Sequence, residues 1–121
     1  RARQVGALLH TDAVQAVGKV EVDFAASGAQ LMSLSAHKLY GPKGVGALIR
    51  DRAVDLSAVM PGGGQEDGLR GGTENLPGIV GFGRAAELAQ AELAQRSAHL
   101  LALRTELEQG VAAMPGMLLF S

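Results

Sequence analysis

The chain holds three lysines, Lys19, Lys38 and Lys43, and the setting of one of them suggests chemistry. Lys19 follows Gly18 in a polar stretch and reads as a solvated surface charge. Lys38 comes directly after an apolar run, with Ser35 and His37 before it and a glycine-containing turn after it. An amine at a sheet edge that loses part of its hydration becomes available as a nucleophile toward a carbonyl carbon. A lysine that lays its stem along the turn is the alternative. Lys43 lies between Pro42 and Gly44, in a turn expected to be exposed and hydrated, so Lys38 is the preferred nucleophile. Asp12 closes a second apolar run further upstream. An acid at one strand end and an amine at the next can grip opposite sides of a flat heteroaromatic ring. Pyridoxal phosphate makes that demand: a lysine bonds to its aldehyde, and a carboxylate keeps the pyridine nitrogen protonated so that the ring can accept carbanion charge. For Asp12 a simple helix N-cap is the alternative. Ser35 and His37 could both reach a phosphate, although each is also an ordinary hydrogen-bonding residue at a strand end.

The elements that must position these groups can be read from the pattern. Residues 6–10 (GALLH) form a short apolar run ending in Thr11 and Asp12, consistent with a buried parallel strand. Residues 13–17 can make a turn or two of helix before Gly18 stops it. Residues 20–24 alternate apolar and charged side chains, and Ser27 with Gly28 marks another turn. Residues 31–35 (LMSLS) read as a second buried strand and residues 45–49 (VGALI) as a third. The short YGPKG connection between them demands an antiparallel pair, because a parallel crossover needs a dozen or more residues. The glycine-rich stretch 61–72 is expected to be ordered only when something binds it. Downstream, Ile79, Phe82, Ala86, Ala89, Leu93, Leu100, Leu103, Leu107 and Val111 recur at helical spacings, which predicts one long amphipathic helix from about 76 to 113. Asn75 caps it, Pro77 occupies its first turn, and Pro115 with Gly116 closes it.

Composition bounds the class. The 121 residues are 47% hydrophobic, enough to predict a folded core in one domain, and the formal charge of -1 gives no general attraction to nucleic acid or an anionic membrane. No run of about 18 uncharged apolar residues predicts a membrane span, and no leader opens the chain, so a cytoplasmic protein is expected. Cysteine is absent, which removes disulfides, thiolate metal sites and cysteine nucleophiles from these residues. His10 and His99 read as strand-end and helix-surface histidines without partners at metal-ligand spacing, so no metal site is expected. Glu66 and Asp67 read as solvated loop carboxylates. Aromatics are only 3%, the first residue is Arg1 rather than Met, and residues 118–121 read as a strand cut short. A piece of a longer protein is expected.

Three blocks then carry a resemblance. SLSAHKLYGPKGVGAL, residues 33–48, closely resembles the cofactor-lysine segment of the cysteine desulfurases, members of the class V aminotransferase group with fold type I. HTDAVQAVGKVEVDF, residues 10–24, resembles their strand and helix bearing the pyridine-nitrogen aspartate, and GGGQEDGLRGGTENLPGIVGFGRA, residues 62–85, resembles their glycine-rich loop and following helix. The resemblance implies an α/β fold: part of the large pyridoxal-phosphate-binding domain, a mixed, mostly parallel sheet with flanking helices, incomplete, over residues 1–121. It implies that Lys38 bonds covalently to the cofactor, Asp12 pairs with the pyridine nitrogen, Gln15 hydrogen-bonds the phenolic oxygen, and Ser35 and His37 hold the phosphate. Thr73 resembles the residue lent to the phosphate of a neighbouring subunit, which implies a homodimer with a composite site. Arg70 is placed near that phosphate or in solvent.

The implied activity is conversion of L-cysteine to L-alanine, with sulfur passed to an acceptor protein. A selenocysteine lyase or another class V member shares these cofactor residues, and a truncated dimerisation module is the non-enzymatic alternative. The family's ring-stacking histidine, mobile cysteine and substrate-carboxylate arginine lie outside this stretch of sequence. The isolated chain is therefore expected to retain cofactor weakly and to transfer no sulfur.

Overall fold

The structure, a computed structural model, describes residues 2–120; Arg1 and Ser121 lie outside the described residues. Its centre is strand β2, Leu31–Ser35, at the position that the apolar run predicts. On one side β2 pairs in parallel with β1, His10–Asp12, setting Asp12 opposite Ser33. On the other it pairs antiparallel with β3, Gly46–Arg50, setting Ser35 opposite Gly46 and Leu31 opposite Arg50. The connection through Pro42 and Gly44 is short enough that only the antiparallel return is possible, as expected.

β1 departs from expectation. The strand expected over 6–10 begins at His10, and Leu8 and Leu9 are exposed. The Leu9 N–H is satisfied by the Gln30 side-chain oxygen at 2.8 Å rather than by a strand neighbour. A 3₁₀ turn, Ala2–Val5, precedes it. Residues 13–17 make a single helical turn, within the turn or two expected: Val17 N–H donates to the Ala13 carbonyl at 3.1 Å, and Gly18 then turns away at a φ of 78°. Further on, Asp23 caps a single helical turn, α1, Phe24–Ser27, by accepting from the Ala26 N–H at 3.1 Å. Residues 118–120 form no strand.

The helix expected from about 76 to 113 is two helices. α2, Leu76–Ala91, is capped by Asn75 and carries Pro77 in its first turn, as the sequence predicts. α3, Leu93–Ala112, starts after Glu92 leaves helical geometry at φ -101° and ψ 1°. The Glu92 carboxylate is held by Arg96 at 2.6 Å, and Ser97 donates to the Lys19 carbonyl at 2.9 Å. Lys19 is half-buried there.

The enclosed core is small. Its residues are Ala13, Ala29, Met32, Ala36, Leu39, Val54, Ala85 and Ala89, so most of the apolar composition does not become core. Val59 is 93% exposed and Leu118 78%, because three short strands and two helices enclose few positions. Surface of this kind is what a protein covers with further polypeptide.

The glycine-rich stretch is ordered by contacts within the chain, not only by a ligand. A 3₁₀ turn, Glu66–Gly68, sits at its tip, and Gly71 N–H donates to the Met60 carbonyl at 2.7 Å to close its neck. A Cβ on Gly71 would lie 2.6 Å from the Gly62 Cα, so the two backbones meet where only glycine fits. Gly71→Ala is therefore expected to open the neck and destabilise the chain by about 1–3 kcal/mol. Faster proteolytic cleavage within residues 61–72 would report it, and an unchanged cleavage rate would contradict it.

Candidate active site

Parallel pairing gives β1 and β2 a common carboxyl-terminal edge. Asp12 ends β1 there, and the Ala13 N–H donates to the Ser33 carbonyl at 3.1 Å, locking the two strand ends together. Ser35 follows two residues after Ser33, about 7 Å further along the strand direction. The chain then enters a 3₁₀ turn, Ala36–Leu39, that carries His37 and Lys38. This turn is tied down at both ends. Ala36 N–H donates to the Val45 carbonyl at 3.1 Å, and the Ala36 carbonyl accepts from Gly41 N–H at 2.9 Å. Tyr40 closes the turn at a φ of 64°, a left-handed conformation costly for a residue with a Cβ and held here by the surrounding bonds.

The side chains divide into a paired group and a free group. Asp12 Oδ1 accepts from the Val14 N–H at 3.0 Å, so the turn after β1 fixes the carboxylate while its other oxygen remains for a ligand. The N-cap and ring-grip readings of Asp12 are thus compatible. Ser35 Oγ and His37 Nδ1 lie 2.9 Å apart. With Nδ1 protonated, the imidazole donates to the serine oxygen and leaves the hydroxyl proton for a phosphate. Lys38 is half-buried, whereas Lys43 is exposed in the turn. Gln15 and Thr73 are exposed, and neither side chain makes a hydrogen bond with the other described residues. Arg70 turns back on its own loop, its Nη1 donating to the Gly71 carbonyl at 3.1 Å.

A carboxylate, a half-buried amine and a serine–histidine pair on one edge form a donor set that fits a flat, phosphorylated heteroaromatic aldehyde. Two polar residues belong beside this set that the sequence reading did not place there. His10 Nε2 lies 2.8 Å from Ser33 Oγ. His10 is two residues from Asp12 on a strand, and Ser33 is opposite Asp12 in register, so all three share one sheet face. The two-residue spacing was visible in the sequence; the partner was not, because it depends on register. Among the described residues, no group of three or more His, Cys, Asp or Glu side chains is placed to hold a metal ion, and no helix is long and apolar enough to cross a membrane.

An incomplete mixed sheet with flanking helices, bearing a lysine turn and an aspartate on one strand edge, defines a fragment of a fold-type-I large domain. The chain belongs to the aminotransferase class-V family, which it matches over residues 1–121. It is 54% identical over 109 residues to a cysteine desulfurase of Bradyrhizobium diazoefficiens, covering 90% of this chain and 28% of that protein. It is 55% identical over 113 residues to the cysteine desulfurase IscS of an Anaeromyxobacter species, covering 92% of this chain and 28% of that protein. Among solved structures, a NifS-like protein from Rickettsia africae superimposes with a TM-score of 0.91 at 32% identity, over 94% of this chain and 32% of that one. The chain thus spans a little over a quarter of the length of these curated relatives.

Proposed function

We propose that these residues are the central part of a pyridoxal-phosphate-dependent cysteine desulfurase, a cytoplasmic homodimer that converts L-cysteine to L-alanine and passes the sulfur to an acceptor protein. The observation that carries the reading is the common edge of β1 and β2, which gathers Asp12, Ser35, His37 and Lys38. Relatives that share about half of these residues bear the cysteine desulfurase name.

Pyridoxal phosphate, when bound, supplies an electron sink for charge developing on the amino-acid carbon. Lys38 Nζ holds the cofactor through its aldehyde. Asp12, already oriented by the Val14 N–H, holds the proton on the ring nitrogen. Ser35 Oγ and His37 orient the phosphate, and Gln15 donates to the phenolic oxygen from the turn after Asp12. Thr73, exposed beyond the loop neck, lends its hydroxyl to the phosphate held by the partner subunit. The 121 residues contain no cysteine, so the thiol that receives sulfur belongs to another part of the protein.

The test is turnover of L-cysteine by the full-length protein with a thiol reductant present. Alanine and sulfide are expected in equal amounts. Turnover of L-selenocysteine alone would move the assignment to a lyase, and release of alanine from neither would overturn the reading. Thr73→Ala is expected to lower cofactor affinity about tenfold, the worth of one charge-assisted hydrogen bond, without changing the melting temperature. Equilibrium titration with pyridoxal phosphate checks this, and unchanged affinity would remove Thr73 from the site.

A further inference from the structure

The two ends of the site sit on separate loops, and both loops meet α2. Gly18 ends the segment that begins at Asp12. A Cβ built there would stand 2.8 Å from Leu39 Cδ2 and 3.2 Å from Ala89 Cβ. Gly41 ends the turn that carries Lys38. A Cβ built there would stand 3.0 Å from both Ala85 Cβ and the Ala36 carbonyl oxygen. Ala85 is 9% exposed and Ala89 5%, and they lie one helical turn apart on α2. Leu39, next to Lys38, is 4% exposed and closes the triangle by touching the Gly18 side.

We infer that Ala85 is a positioning residue that sets where Lys38 stands relative to Asp12, by seating the Lys38 turn on α2 through Gly41 while Ala89 seats the Asp12 loop. The inference rests on the reading of Lys38 and Asp12 as the two grips on one cofactor. Its physical basis is that protein interiors are close-packed and pass displacement on rather than absorbing it. The three atoms nearest to a Cβ added at Gly41 are the Ala36 carbonyl oxygen, the Ala85 Cβ and the Ala36 Cβ; Ala36 is fully buried, and none of the three is the end of a flexible side chain. Added volume at position 85 therefore pushes first on the lysine turn, which meets α2 at Ala85, whereas the Asp12 loop meets the helix one turn away at Ala89. Ala86 is the neighbouring residue on the same helix but is exposed and borders the open cleft beside Gly18 and Ala89, so the same addition there enters open space rather than the lysine turn.

The experiment is a graded series, Ala85→Ser, Ala85→Cys and Ala85→Val, with Ala86→Val as the control, in the full-length protein. Affinity for pyridoxal phosphate is measured by equilibrium titration, the visible absorption and circular dichroism of the bound cofactor are recorded, and far-ultraviolet circular dichroism reports folding. Affinity is expected to fall with added volume, about twofold for Ser and about tenfold or more for Val. The visible dichroic band should change in step, because it reports the seating of the ring. Ala86→Val should match wild type in both. If Val at position 85 prevents folding, the Ser and Cys variants carry the comparison. Folded Ala85 variants that all bind and absorb like wild type would overturn the inference, as would an equal loss from Ala86→Val. Failure of wild-type protein to bind the cofactor would instead defeat the proposed function, so the two failures are distinguishable.

Discussion

Lys38→Ala is expected to leave the full-length protein folded and unable to carry a cofactor that borohydride can fix to the polypeptide. The side chain of Lys38 makes no hydrogen bond or ion pair with the other described residues, so its removal costs little structure, within about 0.5 kcal/mol. The turn beneath it is held by backbone bonds through Ala36, Gly41 and Val45, which the substitution does not touch. What is lost is, among the described residues, the one half-buried lysine at the edge shared with Asp12. Turnover of L-cysteine should fall by at least about 10³-fold, the scale expected when a covalent anchor that also moves protons is removed. Lys43→Ala, two residues beyond the turn in an exposed position, should retain both the fixed label and the turnover. Peptide mapping after borohydride reduction decides the matter: a label recovered on Lys43 would put the site in the wrong place.

Asp12 permits a sharper comparison, because one carboxylate does two separable jobs. Its Oδ1 accepts from the Val14 N–H at 3.0 Å, a local bond that shapes the turn after β1. Under the proposed function its charge would serve the ring nitrogen. Asp12→Asn keeps an oxygen acceptor for Val14 and removes the charge, whereas Asp12→Ala removes both. Asn is therefore expected to preserve the melting temperature and Ala to lower stability by about 1 kcal/mol. Both should reduce turnover by about 10²–10³-fold, the range expected when one fixed electrostatic partner of a developing charge is lost. Cofactor should remain bound to the Asn variant through Lys38. A fully active Asp12→Asn protein would show that the charge is not used.

The strand ends that carry these two residues can be read along the chain. Lys38 and Asp12 stand out from residue type and from the apolar runs before them, since a strand end is a local property. The antiparallel β2–β3 pair follows from a connection too short for any other path. The start of α2 follows from Asn75 and Pro77. Other features were not local. β1 is shorter than its apolar run because a strand exists only where a neighbour supplies the other half of each hydrogen bond, and that neighbour begins at Leu31. The helix break at Glu92 has no proline or glycine to announce it; it accompanies docking of Ser97 on Lys19, far away in sequence. Periodicity alone counts apolar positions and runs straight through such a break.

The glycine-rich loop gives a similar lesson. Its composition suggests slack chain, yet Gly62 and Gly71 pack backbone against backbone, so the glycines permit closure as well as motion.

The sequence by itself determined which chemical groups are present, which of them end strands, and which family the three motif blocks resemble, because those properties reside in residue types over short spans. Only the tertiary structure decided that Asp12 lies opposite Ser33 on the same edge as Ser35, that His10 joins them, and that Gly41 and Gly18 approach Ala85 and Ala89 on one helix. Register and packing depend on contacts between residues distant along the chain, and no local pattern carries that information.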